Sequence, residues 1–311
     1  MVTEMRTAFV LAGGGSFGAV QVGMLRELVA AGVVPDLVVG SSVGAVNGAY
    51  FSGAPTPKGV AQLEAIWCGL RRRDVFPFTW RSLTGLLSRR DYLVDSSGLR
   101  TLLERCLPYR NLEDATVPVH VVATDVLGGG TVTLSAGNAA DAVLASCAIP
   151  AAFPSVRIGT RQLMDGGVAS NTPISVAIDL GAKRVIVLPT GFACTLESPP
   201  RGAIASALHA INLVVARQLV MDVEHYRSHA EIITVPPLCP LSSSPYDFSR
   251  AGDLIEQTAA QTRRWLDGSG LSRRSVPAAL LPHSHADGSA TCEASDGGPE
   301  QPVERNRNEF A

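Results

Sequence analysis

The sequence predicts an α/β protein with a mainly parallel central sheet and helices on both of its faces. Three observations carry that expectation. Short apolar runs of strand length alternate with helix-length segments, and glycine-rich turns sit where strands give way to helices. In addition, 46% of the 311 residues are hydrophobic, enough to bury a full globular core.

The elements follow in order along the chain. Thr7 to Ala12 reads as a buried strand. Ala19 to Ala31 reads as a helix, with Val20, Met24 and Leu28 on one face and Gly32 as its stop. Leu37 to Val39 is a second strand, followed by the small-residue helix Ala45 to Ala49. Val119 to Thr124 is a strand that Gly128-Gly129-Gly130 turns into a hairpin partner, Thr131 to Leu134. Ala139 to Cys147 reads as helical and stops before Pro150, and Arg161 to Met164 is a short strand. Thr172 caps a helix with Pro173 at its first position and Gly181 at its end. Lys183 to Leu188 is a strand, Ile204 to Tyr226 a long core helix, Glu231 to Val235 a strand, and Ser249 to Leu266 a closing amphipathic helix.

Two regions break this rhythm. Thr56 to Asp114 reads as a helical cap insertion rich in Trp, Phe, Leu and Arg. From Asp267 onward the chain is Ser, Gly, Pro, His and acid with little apolar content, which reads as a disordered tail. The expected organisation is therefore one domain over 6–266, with the cap at 56–114, and a tail over 267–311.

Bulk properties exclude some functions. A net charge of −2 gives no global reason to expect a nucleic-acid partner. The six cysteines are scattered without C-x-x-C spacing, which suits reduced thiols in a cytoplasmic protein and offers no metal site. The chain enters a strand almost at once, with no charged and then apolar leader, so a cleaved signal is not expected. Ile204 to Met221 contains His209, Asn212 and Arg217 and makes a poor membrane span.

The chemistry concentrates in four motifs. Gly40-Ser41-Ser42-Val43-Gly44 is a G-x-S-x-G between a strand and a helix, the pattern of a nucleophile elbow that exposes Ser42. Gly13-Gly14-Gly15-Ser16-Phe17-Gly18 follows the first strand and opens the first helix. It satisfies the dinucleotide pattern G-x-G-x-x-G, yet the second strand ends in Gly40-Ser41, where that fold wants an acid for the ribose. The other reading is an oxyanion hole: three glycines bare their amides beside a helix N-terminus.

A serine nucleophile needs a base. His209, His225 and His229 lie in or just after a long helix, His120 begins a strand, and His283 and His285 fall in the tail. None sits at a strand-end loop. Asp165-Gly166-Gly167 does, after the strand ending at Met164, although an aspartate serves as base only where its site is partly desolvated.

Together with Ala145-Ser146-Cys147-Ala148-Ile149-Pro150, Phe153-Pro154, Asn171 and Pro173, these motifs resemble the patatin-like phospholipase family, in order and spacing over residues 6 to 266. The resemblance implies a three-layer α/β architecture and a histidine-free dyad, with Ser42 as nucleophile and Asp165 as base. It implies an oxyanion hole at Gly13, Gly14 and Gly15, and no cofactor or metal. Gly18, Gly40, Gly44, Gly166 and Gly167 complete the motifs, and the 145–150 segment supports the pocket. One departure is Phe17, where the family often carries Arg or Lys; any charge from that position is absent here.

The implied function is a serine acyl hydrolase acting on lipid or fatty-acyl esters. An acyltransferase on the same dyad and a catalytically silent lipid-binding protein are the alternatives. In the cap, Trp67, Phe76, Phe78 and Trp80 lie among Arg71, Arg72, Arg73, Arg81, Arg89 and Arg90. Residues 67–90 read either as a peripheral membrane contact or as a cap whose aromatics pack on the core.

Overall fold

The computed structural model describes residues 6–75, 92, 94–191, 194, 203–241 and 247–281. Its centre is a sheet of β1 (Thr7–Leu11), β2 (Leu37–Ser41), β3 (Val119–Asp125), β4 (Thr131–Leu134), β5 (Val156–Ile158), β6 (Arg161–Asp165), β7 (Arg184–Leu188) and β8 (Glu231–Thr234). The order is β5-β6-β3-β2-β1-β7-β8, with β4 also on β3. The run from β3 to β8 is parallel, and the β4, β5 and β6 pairings are antiparallel.

The central strands β1, β2 and β7 are near-continuous apolar runs because both of their faces are covered. Phe9, Leu11, Val38, Ile186 and Leu188 point to one face. There they meet α1 (Gly18–Ala30), α2 (Val43–Gly53) and α10 (Ala251–Asp267). Ala8, Val10, Leu37, Val39, Val185 and Val187 point to the other. That face is covered by α8 (Ile174–Asp179) and α9 (Ala203–Tyr226). The result is three layers.

One feature of the pairing positions the site. β4 lines Val121–Thr124 along one edge of β3. β2 reaches Val119–Val122 and β6 reaches Ala123–Asp125. A strand has only two edges, so β2 and β6 share the second one and arrive end to end. Their carboxyl ends, Ser41 and Asp165, therefore converge although they are far apart in sequence.

The cap is helical where it is described. It comprises α3 (Pro57–Gly69), capped by the Thr56 hydroxyl accepting from Gly59 N–H, then α4 (Arg72–Val75) and α5 (Ser97–Cys106). Trp67 corrects the lipid-facing reading at its own position. It is buried, stacks on Phe248 with centroids 6.2 Å apart, and donates its indole N–H to Asn47 Oδ1 at 2.9 Å. Asn47 in turn donates to Gly18 O and Gln21 Oε1, and Gln21 donates to Ala12 O and Leu188 O. A buried network with every member partnered holds the cap onto the first glycine loop. Arg71, Arg72 and Arg73 are exposed. Phe76, Phe78, Trp80, Arg81, Leu83, Leu86, Leu87, Arg89 and Arg90 lie outside the described residues.

Three further expectations change. The core-helix reading of α9 holds for one face only: Leu219 and Val223 are buried, whereas Ile211, Val214 and Met221 are 56%, 64% and 70% exposed. The helix after Pro173 starts at Ile174 without a side-chain cap, and a short helix α7 (Gly167–Ser170) precedes it.

The domain boundary also moves past 266. The chain continues through 3₁₀ turns at Gly270–Ser272 and Ala278–Leu280, and Leu280 is 4% exposed against the cluster that contains Val10 and Leu219. Arg274 pairs with Glu231. Ending the chain at Gly270 should therefore lower Tm by several degrees, since burying Leu280 alone is worth about 2 kcal/mol. Thermal unfolding of the shortened chain checks this. Residues 282–311 lie outside the described residues.

Candidate active site

Ser42 occupies the single residue between β2 and α2, with φ 54° and ψ −126°. A non-glycine residue at positive φ is strained, and this strain is what turns its side chain out of the strand direction. The flanking glycines make the turn physically possible. A Cβ on Gly40 would lie 2.6 Å from the Gly44 carbonyl carbon, and one on Gly44 would lie 2.5 Å from that of Leu11. The helix thus rests directly on strand backbone. Ser41, by contrast, is fully buried, and its hydroxyl has no hydrogen-bond partner among the described residues.

Asp165 is the last residue of β6, at the end-to-end junction rather than in the loop beyond the strand. Its Oδ2 accepts from Ser42 Oγ at 2.7 Å, and its Oδ1 accepts from Gly167 N–H at 2.8 Å. Its carbonyl accepts from the buried Thr124 hydroxyl at 2.8 Å. Burial raises its pKa from 3.8 to about 6, and the bonds from Ser42 and Gly167 partly oppose that rise. The residue is only 7% exposed, so desolvation outweighs two favourable bonds. Gly166 and Gly167 leave room for this packing. A side chain on Gly167 would sit 2.9 Å from Asp165 Oδ1, and one on Gly166 would lie 2.6 Å from Ser41 Oγ.

The first glycine loop lies against the same serine, with the place of a Gly13 Cβ 3.1 Å from Ser42 Cβ. Gly13 departs from the expected role in one respect. Its N–H donates to Asn171 O at 3.1 Å, and its carbonyl accepts from Thr190 Oγ1 at 2.8 Å. An amide already committed to a protein carbonyl is not free for an oxyanion. The amides of Gly14 and Gly15 donate to no group among the described residues. Gly15 (φ 60°) opens the 3₁₀ turn that leads through Gly18 into α1. Phe17 is buried and lines the cavity.

Two cavities meet at Ser42, with Gly15 and Ile149 as their other shared walls. The first is lined by the glycine loop, Asp165, Asn171, Thr172 and Thr190, with Ile211 and Val215 of α9 at its side. The second is almost wholly apolar and runs beneath the cap among Val43, Leu63, Trp67, Leu99, Leu103 and Phe248. Among the described residues no histidine lines either cavity. His120 bonds Ser135, and His225 and His229 pack with Tyr226 at the end of α9. His283 and His285 lie outside the described residues.

Sequence reasoning passed over two contributors. Thr190 secures the glycine loop from the end of β7, and nothing in the local sequence marks it. Ser146 accepts from Ser42 N–H at 2.8 Å and donates to Val122 O at 2.5 Å. The 145–150 motif marked its position but not this task. Among the described residues no cluster of His, Cys, Asp and Glu could hold a metal ion, and no helix is long and apolar enough to cross a membrane.

The comparisons with known proteins follow the same residues. The family model described as patatin-like phospholipase matches residues 9–178. Patatin-like phospholipase domain-containing protein 7 of Mus musculus is 28% identical over 194 residues, which are 61% of this chain and 14% of that protein. The uncharacterized NTE family protein MT2641 of Mycobacterium tuberculosis is 33% identical over 168 residues, 54% of this chain and 27% of its own length. The chain thus spans a minor part of the length of these relatives. Among solved structures, VipD from Legionella pneumophila aligns with a TM-score of 0.41 at 16% identity, covering 84% of this chain and 67% of that one. The human GIVD cytosolic phospholipase A2 aligns at 0.43 and 12%, covering 89% and 59%. With the matched segment running from β1 to α8 and covering more than half of the sequence, this chain belongs to the patatin-like phospholipase family.

Proposed function

We propose that this protein is a serine acyl hydrolase of lipid or fatty-acyl esters, working through Ser42 and Asp165 without histidine. The observation that carries the reading is the 2.7 Å bond from Ser42 Oγ to the desolvated Asp165 carboxylate at a strained elbow. Ser42 Oγ attacks the ester carbonyl carbon as its proton passes to Asp165 Oδ2. The carbonyl oxygen takes the negative charge, and the Gly14 and Gly15 amides receive it beside the helix N-terminus. The carbon–oxygen bond to the alcohol then breaks, and Asp165 returns the proton to the leaving oxygen. Water repeats the sequence on the acyl-enzyme, releasing the acid and restoring the Ser42 hydroxyl. A base poised at about 6 can both accept and return that proton near neutrality.

The apolar cavity beneath the cap suits the acyl chain, and the cavity beside Asn171 and Thr190 suits the alcohol portion and the incoming water. Rapid quenching during turnover of a soluble acyl ester should therefore give intact protein heavier by one acyl group. Esters of longer straight chains should be preferred to acetate. Absence of both a covalent acyl group and ester turnover would reject the reading in favour of a silent lipid-binding protein.

The pH dependence follows from the same carboxyl. Because the deprotonated form is the base, kcat/KM should be low below pH 5, rise through an inflection near 6 and level off above 7. A stopped assay on a short-chain ester across pH 4.5–8.5 measures it.

A further inference from the structure

In the ladder between β2 and β3, Val38 N–H donates to Pro118 O at 2.8 Å. The register Val38↔Val119 continues to Ser41↔Val122. Parallel ladders repeat every second residue, so the rung two steps further on would run from Ser42 N–H to Val122 O. That rung is absent. Ser42 N–H donates instead to Ser146 Oγ at 2.8 Å, and Ser146 Oγ donates to Val122 O at 2.5 Å. One hydroxyl has been inserted into the ladder where the strand must release its last residue.

We propose that Ser146 is a positioning residue for the reaction: its inserted hydroxyl holds Ser42 off the sheet and in line with Asp165. This rests on the reading of Ser42 as the nucleophile. Two observations tie the insertion to the base as well. The carbonyl of Ser146 accepts from Gly166 N–H at 3.1 Å, and that of Ala148 accepts from Asp165 N–H at 2.9 Å. The last residue of α6 (Ala139–Ser146) and the turn after it therefore grip the ends of β2 and β6 at once. Ser146 is itself fully buried, out of contact with bulk water. Only a group that both accepts and donates serves here, because the amide on one side needs an acceptor and the carbonyl on the other needs a donor. Without it, Ser42 N–H and Val122 O either stay unpaired or close into the ordinary rung. Closure would draw the elbow toward β3 and away from Asp165.

Ser146→Ala tests this in the full chain, with the near-isosteric Ser146→Cys as a second variant whose thiol is a poor donor and acceptor. A displacement near 1 Å costs about 10²-fold in rate. The Ala variant should therefore lose about 10² in kcat on a short-chain ester, and the Cys variant at least about tenfold. KM should stay within about threefold of wild type. The pH inflection should move upward from about 6, because the Ser42 bond that lowers the Asp165 pKa is loosened. A residue that only stabilises the fold would lower Tm and leave both the kcat per fluorophosphonate-titrated site and the inflection unchanged. That result would overturn the proposal, as would failure of both variants to fold. If Ser42→Ala turned over as wild type, the parent reading would fail instead, whatever Ser146 did.

Discussion

Ser42→Ala should abolish turnover of a soluble acyl ester, lowering kcat by about 10⁵–10⁶-fold. A nucleophile lost from a group that acts as a unit costs that much elsewhere. The fold should survive, because Ser42 contributes one hydroxyl bond and its backbone amide stays with Ser146. Ser41→Ala is the matched control. The Ser41 hydroxyl is buried without a partner among the described residues, so its removal should leave most of the activity and cost little stability. Steady-state kinetics of the pair decide the register of the elbow. If Ser41→Ala were the inactive variant, the assignment of the nucleophile would be wrong by one residue.

Asp165→Asn should divide activity from stability. Asparagine keeps the size and the acceptor for Gly167 N–H but cannot take the Ser42 proton, so kcat should fall by about 10³–10⁴-fold. Stability should move the other way. In the folded chain the carboxyl has a pKa of about 6 against 3.8 when exposed. The native state therefore holds its proton more tightly than the unfolded chain does. Charging Asp165 costs stability as pH rises from about 4 to 6, and the cost is complete above that range. The difference corresponds to about 3 kcal/mol. At pH 8 the Asn variant should melt roughly 5–10 °C above wild type, and at pH 4 the two should nearly coincide. A site strained for its chemistry is relieved when the chemistry is removed. Equal melting temperatures at pH 8 would mean that the carboxyl is far better solvated than its burial indicates.

Much of this candidate site is legible in the sequence. Glycine spacing marks both turns, because a Cβ at Gly40 or Gly44 would overlap backbone, and that requirement is local in the sequence. The alternation of apolar runs likewise announces the three layers. What could not be read is long-range pairing. That β2 and β6 meet end to end on one edge of β3 depends on β4 occupying the other edge, and no segment carries that information alone. The commitment of the Gly13 amide to Asn171 O, which leaves Gly14 and Gly15 as the proposed oxyanion donors, has the same origin.

Composition misleads in two opposite ways. α9 carries apolar residues on more than one face but buries only one of them, so Ile211, Val214 and Met221 stay exposed. Beyond α10 the apolar residues Leu271, Val276 and Leu280 are too sparse to form a pattern, yet each packs on the domain. Trp67 shows how an aromatic beside arginines can face inward once a buried Asn47 accepts its N–H.

If Ser42 is activated by Asp165 alone, its reactivity toward an electrophile depends on that carboxyl and on no histidine. The most direct measurement is the rate and location of covalent labelling by a fluorophosphonate probe on the full chain, read by peptide mass mapping. A single adduct on Ser42 is expected, with no adduct in Ser42→Ala and labelling slowed by about 10³-fold in Asp165→Asn. Labelling should stay within tenfold of wild type when His209, His225 or His229 is replaced. An adduct on another residue, or a hundredfold loss on replacing any one of those histidines with the fold intact, would contradict it.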